Sequence, residues 1–202
     1  MAVAVRSLFA TRFYETDLGS DALVAELEEA CRALAAEDGA GRRWSRAHAY
    51  RGYTSYASLN DLPRRDPRFA ELVRLLDRHV AAFAGECAMD LGRRRLKLDS
   101  LWVNVLKAGG AHSGHIHPQS IVSGTVYVAV PPGAGALKLE DPRLPMMMAA
   151  PQRREDAPEE LRIFVYAEPA PGKVFLWESW LRHEVVPGKA RGERISISFN
   201  YR

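Results

Sequence analysis

Two histidines stand two residues apart in Gly114-His115-Ile116-His117-Pro118, and a third, His183, follows much later in Leu181-Arg182-His183-Glu184. Side chains at i and i+2 of an extended backbone project to the same face, so His115 and His117 can reach one ion. That geometry turns Ile116 into the packing layer. Imidazole nitrogen suits iron, zinc, copper and nickel, and three protein ligands leave coordination positions open for exogenous molecules. A His-x-His pair alone is as readily a polar turn. Eleven residues after His183, however, Arg194 and Ser196 form an Arg-x-Ser pair that again shares a strand face. Guanidinium is suited to bidentate capture of a carboxylate. A metal followed by such a pair is the arrangement that holds a chelating acid by both of its ends.

The elements that must position these residues fall into two halves. Residues 21–36 carry Leu23, Val24, Leu27, Cys31 and Leu34 at helical spacing, with Ser20 as N-cap and Gly39 just beyond the end. A second helix starts at Asp66-Pro67, runs Phe69, Leu72, Val73, Leu76, Val80 and Phe83 along one stripe, and stops at Gly85. Between them, 44–60 is polar and aromatic, and reads either as an extended segment lining a site or as a surface connection. From Leu98 the period changes to two. Strands are expected at 98–106, 125–130, 136–140, 161–168, 173–177 and 193–201. In the first, Leu101, Val103 and Val105 oppose Ser100, Trp102 and Asn104. In the last, Ile195, Ile197 and Phe199 oppose Arg194, Ser196, Ser198 and Asn200. Such a polar face normally meets bulk water, but inside a jelly roll it lines a cavity. The proline-bearing stretch 141–160, with Met146, Met147 and Met148, is a lid or a disordered loop.

The bulk composition excludes several classes. In 202 residues, 47% hydrophobic and 26% charged side chains leave ample material for a core. We expect a single domain over 1–202, helical to about 97 and a jelly roll over about 98–202. The net charge is only +3, and the densest basic run, Arg93 to Arg95, has no aromatic ladder beside it. Nucleic acid is therefore not an expected partner. No run approaches the roughly 18 apolar residues of a membrane span. The apolar start at Met1 is interrupted by Arg6 and Arg12, which does not suit a signal sequence. Cys31 and Cys87 fall in expected helices and read as buried thiols, in keeping with a cytoplasmic protein. Homo-oligomerisation is left open.

The C-terminal half resembles the 2-oxoglutarate/iron(II) oxygenases of the prolyl-hydroxylase-like branch, and within it a group of short, uncharacterised bacterial and phage members. The residues that carry the resemblance are Trp102-Val-Asn104, His115-Ile-His-Pro-Gln-Ser120 and Ser123-Gly-Thr-Val-Tyr-Val128. They continue with Gly172, Phe175, Ser179 to Leu181, His183, Val185 and Pro187, and close with Arg194-Ile-Ser-Ile-Ser-Phe-Asn200. The resemblance covers about 98–202 and implies an α+β, mainly β fold: a double-stranded β-helix with N-terminal helices packed on it. It implies iron(II), 2-oxoglutarate and O2 as cofactor and co-substrates, with substrate hydroxylation coupled to decarboxylation of 2-oxoglutarate. His115 and His183 would then be metal ligands and Arg194 the 2-oxoglutarate anchor, supported by Ser196, Asn104 and Tyr127. Position 117 departs from the common pattern, which has a carboxylate there. His117 is then a third neutral ligand or a close neighbour of the metal.

Two other readings stand beside this one. A cupin-like metal enzyme without 2-oxoglutarate would need a glutamate soon after His-x-His, where Ile121 and Val122 stand. A non-catalytic jelly-roll binding protein would bury the histidines for packing alone. Trp102, Trp177 and Trp180 read as core, and Tyr127 as either a barrel filler or a co-substrate contact. His112 is a reserve ligand in an exposed loop, and His48 and His79 carry no signal. The substrate, a small molecule or a peptide, is not specified by these residues.

Overall fold

The computed structural model describes residues 3–202, so the apolar start at Met1 lies outside them at its first two positions. The N-terminal half contains β1 (Phe13–Asp17), α1 (Asp21–Glu37), α2 (Gly39–Ala47), β2 (Gly52–Thr54), α3 (Leu62–Arg65) and α4 (Pro67–Glu86). The C-terminal half contains β3 (Leu98–Leu106), β4 (His112–His115), β5 (Val122–Ala129), β6 (Leu137–Glu140), β7 (Phe164–Ala167), β8 (Lys173–Glu178), β9 (His183–Val185) and β10 (Arg194–Tyr201).

Local chemistry accounts for the helix ends. Ser20 Oγ accepts the Leu23 N–H and starts α1, while Asp66 accepts the Arg68 N–H and Pro67 fills the first turn of α4. Gly39 was expected to follow the end of α1 and instead begins α2. The reason is Asp38, which closes α1 with its backbone and caps α2 by accepting the Gly41 N–H. Asp38 also accepts hydrogen bonds from Tyr53 and Ser58, which ties α2 to the segment containing β2. The 44–60 stretch is thus the end of a helix, a short strand and turns. Cys31 is buried in α1, whereas Cys87 sits half-buried at the C-cap of α4, and both thiols are free.

All strand pairs are antiparallel, in two sheets. One has the order β1-β8-β5-β10-β3-β2 and the other β4-β9-β6-β7. This is a double-stranded β-helix. The large sheet is apolar on its outer face, where Val103, Val126, Leu176, Ile195, Ile197 and Phe199 pack with Leu27, Leu72, Leu76 and Phe83 of α1 and α4. Each fully buried leucine of this layer contributes about 1.5–3 kcal/mol of transfer free energy. A second apolar cluster, with Phe175, Trp177, Leu137, Leu139, Leu181 and Val185, joins the two sheets.

Alternation along β10 divides the two environments. Ile195, Ile197 and Phe199 face the helices, while Arg194, Ser196, Ser198 and Asn200 line a cleft between the sheets. The same holds along β3, where Trp102 and Asn104 reach the cleft. The polar strand faces therefore turn inward, as a jelly roll requires.

Two expectations fail at strand ends. β4 stops at His115, so Ile116 is not in a packing layer; it is 45% exposed at the cleft rim. Trp180, read as core, is 47% exposed because it lies in the turn before β9. The 141–160 stretch holds the short 3₁₀ turn Leu144–Met146 and the start of another, Glu159–Leu161, and Met146 and Met148 are exposed.

Gly124 shows how closely β5 is packed. A Cβ there would lie 2.5 Å from Phe199 Cζ, 2.6 Å from Leu176 Cδ2 and 2.6 Å from the Phe175 carbonyl oxygen. Gly124→Ala should therefore cost about 1–3 kcal/mol of stability through overpacking. Urea unfolding measures this, and an unchanged midpoint would contradict the packing described.

Candidate metal centre

The cleft has a volume of about 760 Å³ and receives side chains from both sheets and from the segment after α2. His115 ends β4 and His183 begins β9, and the two are direct cross-strand partners. Residues directly opposite in an antiparallel pair have adjacent side chains. Their rings lie 4.4 Å apart between centroids. His117 lies beyond the strand and is held differently. Its backbone N–H donates to the Ser179 carbonyl at 3.0 Å, and Ser179 N–H donates to Ile121 at 2.9 Å. The loops bearing His117 and His183 are thereby fastened together.

Ser179 is fixed in turn by a buried hydroxyl chain. Ser123 Oγ donates to Asn200 Oδ1 at 2.8 Å, so its single proton is used. Ser179 Oγ must then be the donor in the 2.8 Å bond to Ser123 Oγ, and Asn200 Nδ2 donates to Ser100 at 3.1 Å. This positioning role of Ser179 had no signal in the sequence beyond the residue itself.

The ligating nitrogens of the three histidines all lie within 4.8 Å of one another. His115 Nδ1 donates to the Ser113 carbonyl at 2.6 Å and His183 Nδ1 to the Leu181 carbonyl at 2.9 Å. A carbonyl only accepts, so each Nδ1 carries the proton and each Nε2 presents a lone pair. His117 Nε2 stands 3.3 Å from His183 Nε2. Two nitrogens about 2.0–2.1 Å from one metal and at right angles to it would lie about 3 Å apart. The donor set fits a divalent transition metal.

Burial, reinforced by the neighbouring His115, pulls His117 down to about 4. Burial likewise pulls His183 down to about 3, against the opposing bond to Leu181. Both imidazoles are thus neutral, the form that binds metal, at neutral pH. Trp177 packs on His183 with ring centroids 4.6 Å apart, and Trp102 lies 5.9 Å from His117. These two tryptophans are core residues that also wall the cleft.

The other end of the cleft is built around Arg194, which is 4% exposed. Its Nη2 donates to Tyr127 Oη at 3.1 Å, Nη1 is 3.5 Å from Ser196 Oγ, and its Nε has no hydrogen-bond partner. The guanidinium also lies 4.7 Å from the centroid of the Tyr127 ring. A buried guanidinium without a carboxylate partner is costly, and an anionic ligand would relieve that cost. Asn104 does not point free into the cleft. Its oxygen accepts from Thr54 at 2.9 Å and its amide donates to Ser198 at 3.1 Å.

Tyr50 belongs to the 44–60 stretch read as either a site-lining segment or a surface connection, and it lines the cleft together with His112, the reserve ligand. Tyr50 Oη lies 2.7 Å from His112 Nε2 and 3.4 Å from Asn104 Oδ1. His112 is no exposed loop residue, and it stands outside the three-histidine cluster. Burial pulls it down to about 3, and the nearby Arg194 acts in the same direction. Only the aromatic composition of 44–60 hinted at Tyr50, and nothing local linked it to a histidine so distant in sequence. His48 bonds to the Trp44 carbonyl and His79 to Tyr14, and neither histidine lines the cleft.

Comparisons with known proteins bear on the family and the fold. The family model described as "Putative 2OG-Fe(II) oxygenase" matches residues 100–200. No curated protein matches in sequence. Among solved structures, a Pseudomonas putida prolyl-4-hydroxylase is 17% identical over 95% of this chain and 92% of its own, with a TM-score of 0.59. The epimerase SnoN from nogalamycin biosynthesis, in complex with Fe3+, α-ketoglutarate and nogalamycin RO, is 16% identical over 95% and 78%, with a TM-score of 0.62. A Trichoplax adhaerens prolyl hydroxylase, bound to a hypoxia inducible factor peptide, is 17% identical over 94% and 82%, with a TM-score of 0.56.

The depressed histidines have a consequence for the metal-free protein. Their folded pKa values lie below the unfolded value of about 6.5, so the unfolded chain takes up protons first as pH falls. Stability should be lost progressively between about pH 6.5 and pH 3. His112→Gln retains a partner for Tyr50 but cannot titrate. Its thermal midpoint should fall less steeply over that range; identical slopes would remove His112 from the account.

Proposed function

We infer residue roles from the premise that this chain belongs to the 2OG-Fe(II) oxygenase family, whose reaction couples decarboxylation of 2-oxoglutarate to oxidation of a substrate. The enzyme is a 2-oxoglutarate-dependent dioxygenase. The observation that carries our assignment is that three imidazoles converge at one end of a cleft whose other end holds a buried arginine without a carboxylate partner.

His115, His117 and His183 are assigned as the iron(II) ligands. Iron held there would supply the redox chemistry that couples O2 and 2-oxoglutarate to substrate oxidation. The remaining chemistry belongs to this chain's own groups. The Ser113 and Leu181 carbonyls fix the tautomers of His115 and His183, so their lone pairs need no reorganisation on binding. Arg194 grips the far carboxylate of 2-oxoglutarate, with Tyr127 and Ser196 holding the guanidinium plane. Burial pushes the Tyr127 phenol up, so it stays a neutral hydrogen-bonding group. Asn104 braces the wall between Thr54 and Ser198, and the Trp102 and Trp177 rings exclude water from the reacting space.

Helices and sheets share one apolar core, which supports reading the chain as a single domain. Among the described residues no helix is long and apolar enough to cross a membrane. The free cysteines favour a cytoplasmic setting. The substrate is a small molecule or one side chain of a peptide, and hydroxylation is the default outcome.

Anaerobic protein should bind iron(II) and 2-oxoglutarate together and show the weak visible charge-transfer band of an iron–keto-acid chelate. His115→Ala and His183→Ala should each abolish the band, and its absence in the unaltered protein would overturn the reading. Charge-assisted hydrogen bonds are worth about 1.5–3 kcal/mol, so Arg194→Ala should weaken 2-oxoglutarate binding at least about tenfold. Metal affinity should stay unchanged in that variant. Calorimetry separates the two, and an unaltered 2-oxoglutarate affinity would move the anchor elsewhere. For His117→Ala, metal binding should weaken strongly; a stoichiometry still near one would make His117 a neighbour rather than a ligand.

A further inference from the structure

The charge inside the cleft does not balance. Among the residues that line it, Arg194 is the one fixed cation and Asp99 the one carboxylate. Asp99 lies at the end of the cleft away from Arg194 and is already paired with Arg202 at 2.9 Å. A divalent ion on three neutral imidazoles, together with Arg194, brings three positive charges into a buried space. 2-Oxoglutarate returns two negative charges. One positive charge is left over, where the common triad with its carboxylate leaves none.

An uncompensated charge in a partly enclosed cleft costs free energy, and charges interact more strongly there than in bulk water. The cleft also has room to spare. Ser198 and Asn200 extend the cleft face of β10 about 13 and 20 Å beyond Arg194 at strand rise, a length that a five-carbon diacid does not fill. Apart from Asp99, whose charge Arg202 offsets, that far half is lined by the neutral side chains of Ser100, Ser120, Thr125, Ser198 and Asn200, with hydroxyl and amide hydrogens to offer an anion.

We propose that the substrate of this enzyme is itself an anion, a small carboxylate-bearing molecule taken into the half of the cleft away from Arg194. The proposal rests on the assignment of His115, His117 and His183 as ligands. The substrate's negative charge completes the neutralisation that a ligand carboxylate provides elsewhere. Cationic substrates are selected against by the same residual charge.

The test uses the full chain loaded with cobalt(II) and saturated with 2-oxoglutarate, at constant ionic strength. Acetate, its neutral counterpart acetamide, and methylammonium serve as probes, followed by calorimetry and by the visible bands of cobalt. Acetate should bind at least about tenfold more tightly than acetamide, with no detectable binding of methylammonium. His117→Asp returns one negative charge and should cut acetate affinity at least about tenfold, leaving acetamide within about threefold. Equal binding of acetate and acetamide, or equal losses of both in His117→Asp, would overturn the proposal. Should the variant fail to hold metal, the comparison of probes in the unaltered protein decides alone. Failure of 2-oxoglutarate to bind in the first place would instead overturn the assigned function.

Discussion

Strand β10 is paired on both sides, with β3 and with β5. Its register is held by Ile195, Ile197 and Phe199, which are fully buried against the helical layer. Because side chains alternate with a period of two, that apolar face also dictates what enters the cleft. A slip of one residue would put isoleucine where Arg194 and Ser196 now stand. The rest of the site depends on this constraint. Asn104 and Tyr127 both lie opposite Ser196, and Trp102 and Thr125 both lie opposite Ser198.

The metal end is organised by different means. Only one of its contacts, the His115–His183 pairing, comes from a strand ladder. His117 is placed by backbone hydrogen bonds between two loops, with a chain of serine and asparagine side chains behind them. Buried polar networks of this kind are stable only when every member is satisfied. Here the proton count closes from Ser179 through Ser123 and Asn200 to Ser100. What remains unsatisfied lies in the cleft walls: the Arg194 Nε and the Trp177 indole nitrogen.

Much of this was legible in the sequence because it rests on periodicity. The i, i+2 spacing of Arg194 and Ser196 on β10 is a local property that survives folding, whereas His115 and His117 converge because loop hydrogen bonds hold His117 beyond the end of β4. The long stripes of α1 and α4 are equally local. The failures are tertiary. Ile116 was assigned to a packing layer on the assumption that β4 runs through it, whereas the strand ends at His115. His112 reads as exposed in the sequence because its partner Tyr50 is 62 residues away. The nine-residue α2 was missed because it carries two glycines and begins where a glycine usually ends a helix; Asp38 overrides that signal. The edge strands β1 and β2 are too short to show an alternation, and β3 and β8 supply what fixes them.

The central claim is that three imidazoles from opposed loops and strands hold one metal ion in line with Arg194. It is tested most directly by diffraction from crystals grown anaerobically with iron(II) and 2-oxoglutarate, recorded across the iron absorption edge. The account predicts one anomalous peak bonded to Nε2 of His115, His117 and His183, and a dicarboxylate running from it to the Arg194 guanidinium. A peak lacking His183 or His115, or a diacid whose far carboxylate lies away from Arg194, would contradict it.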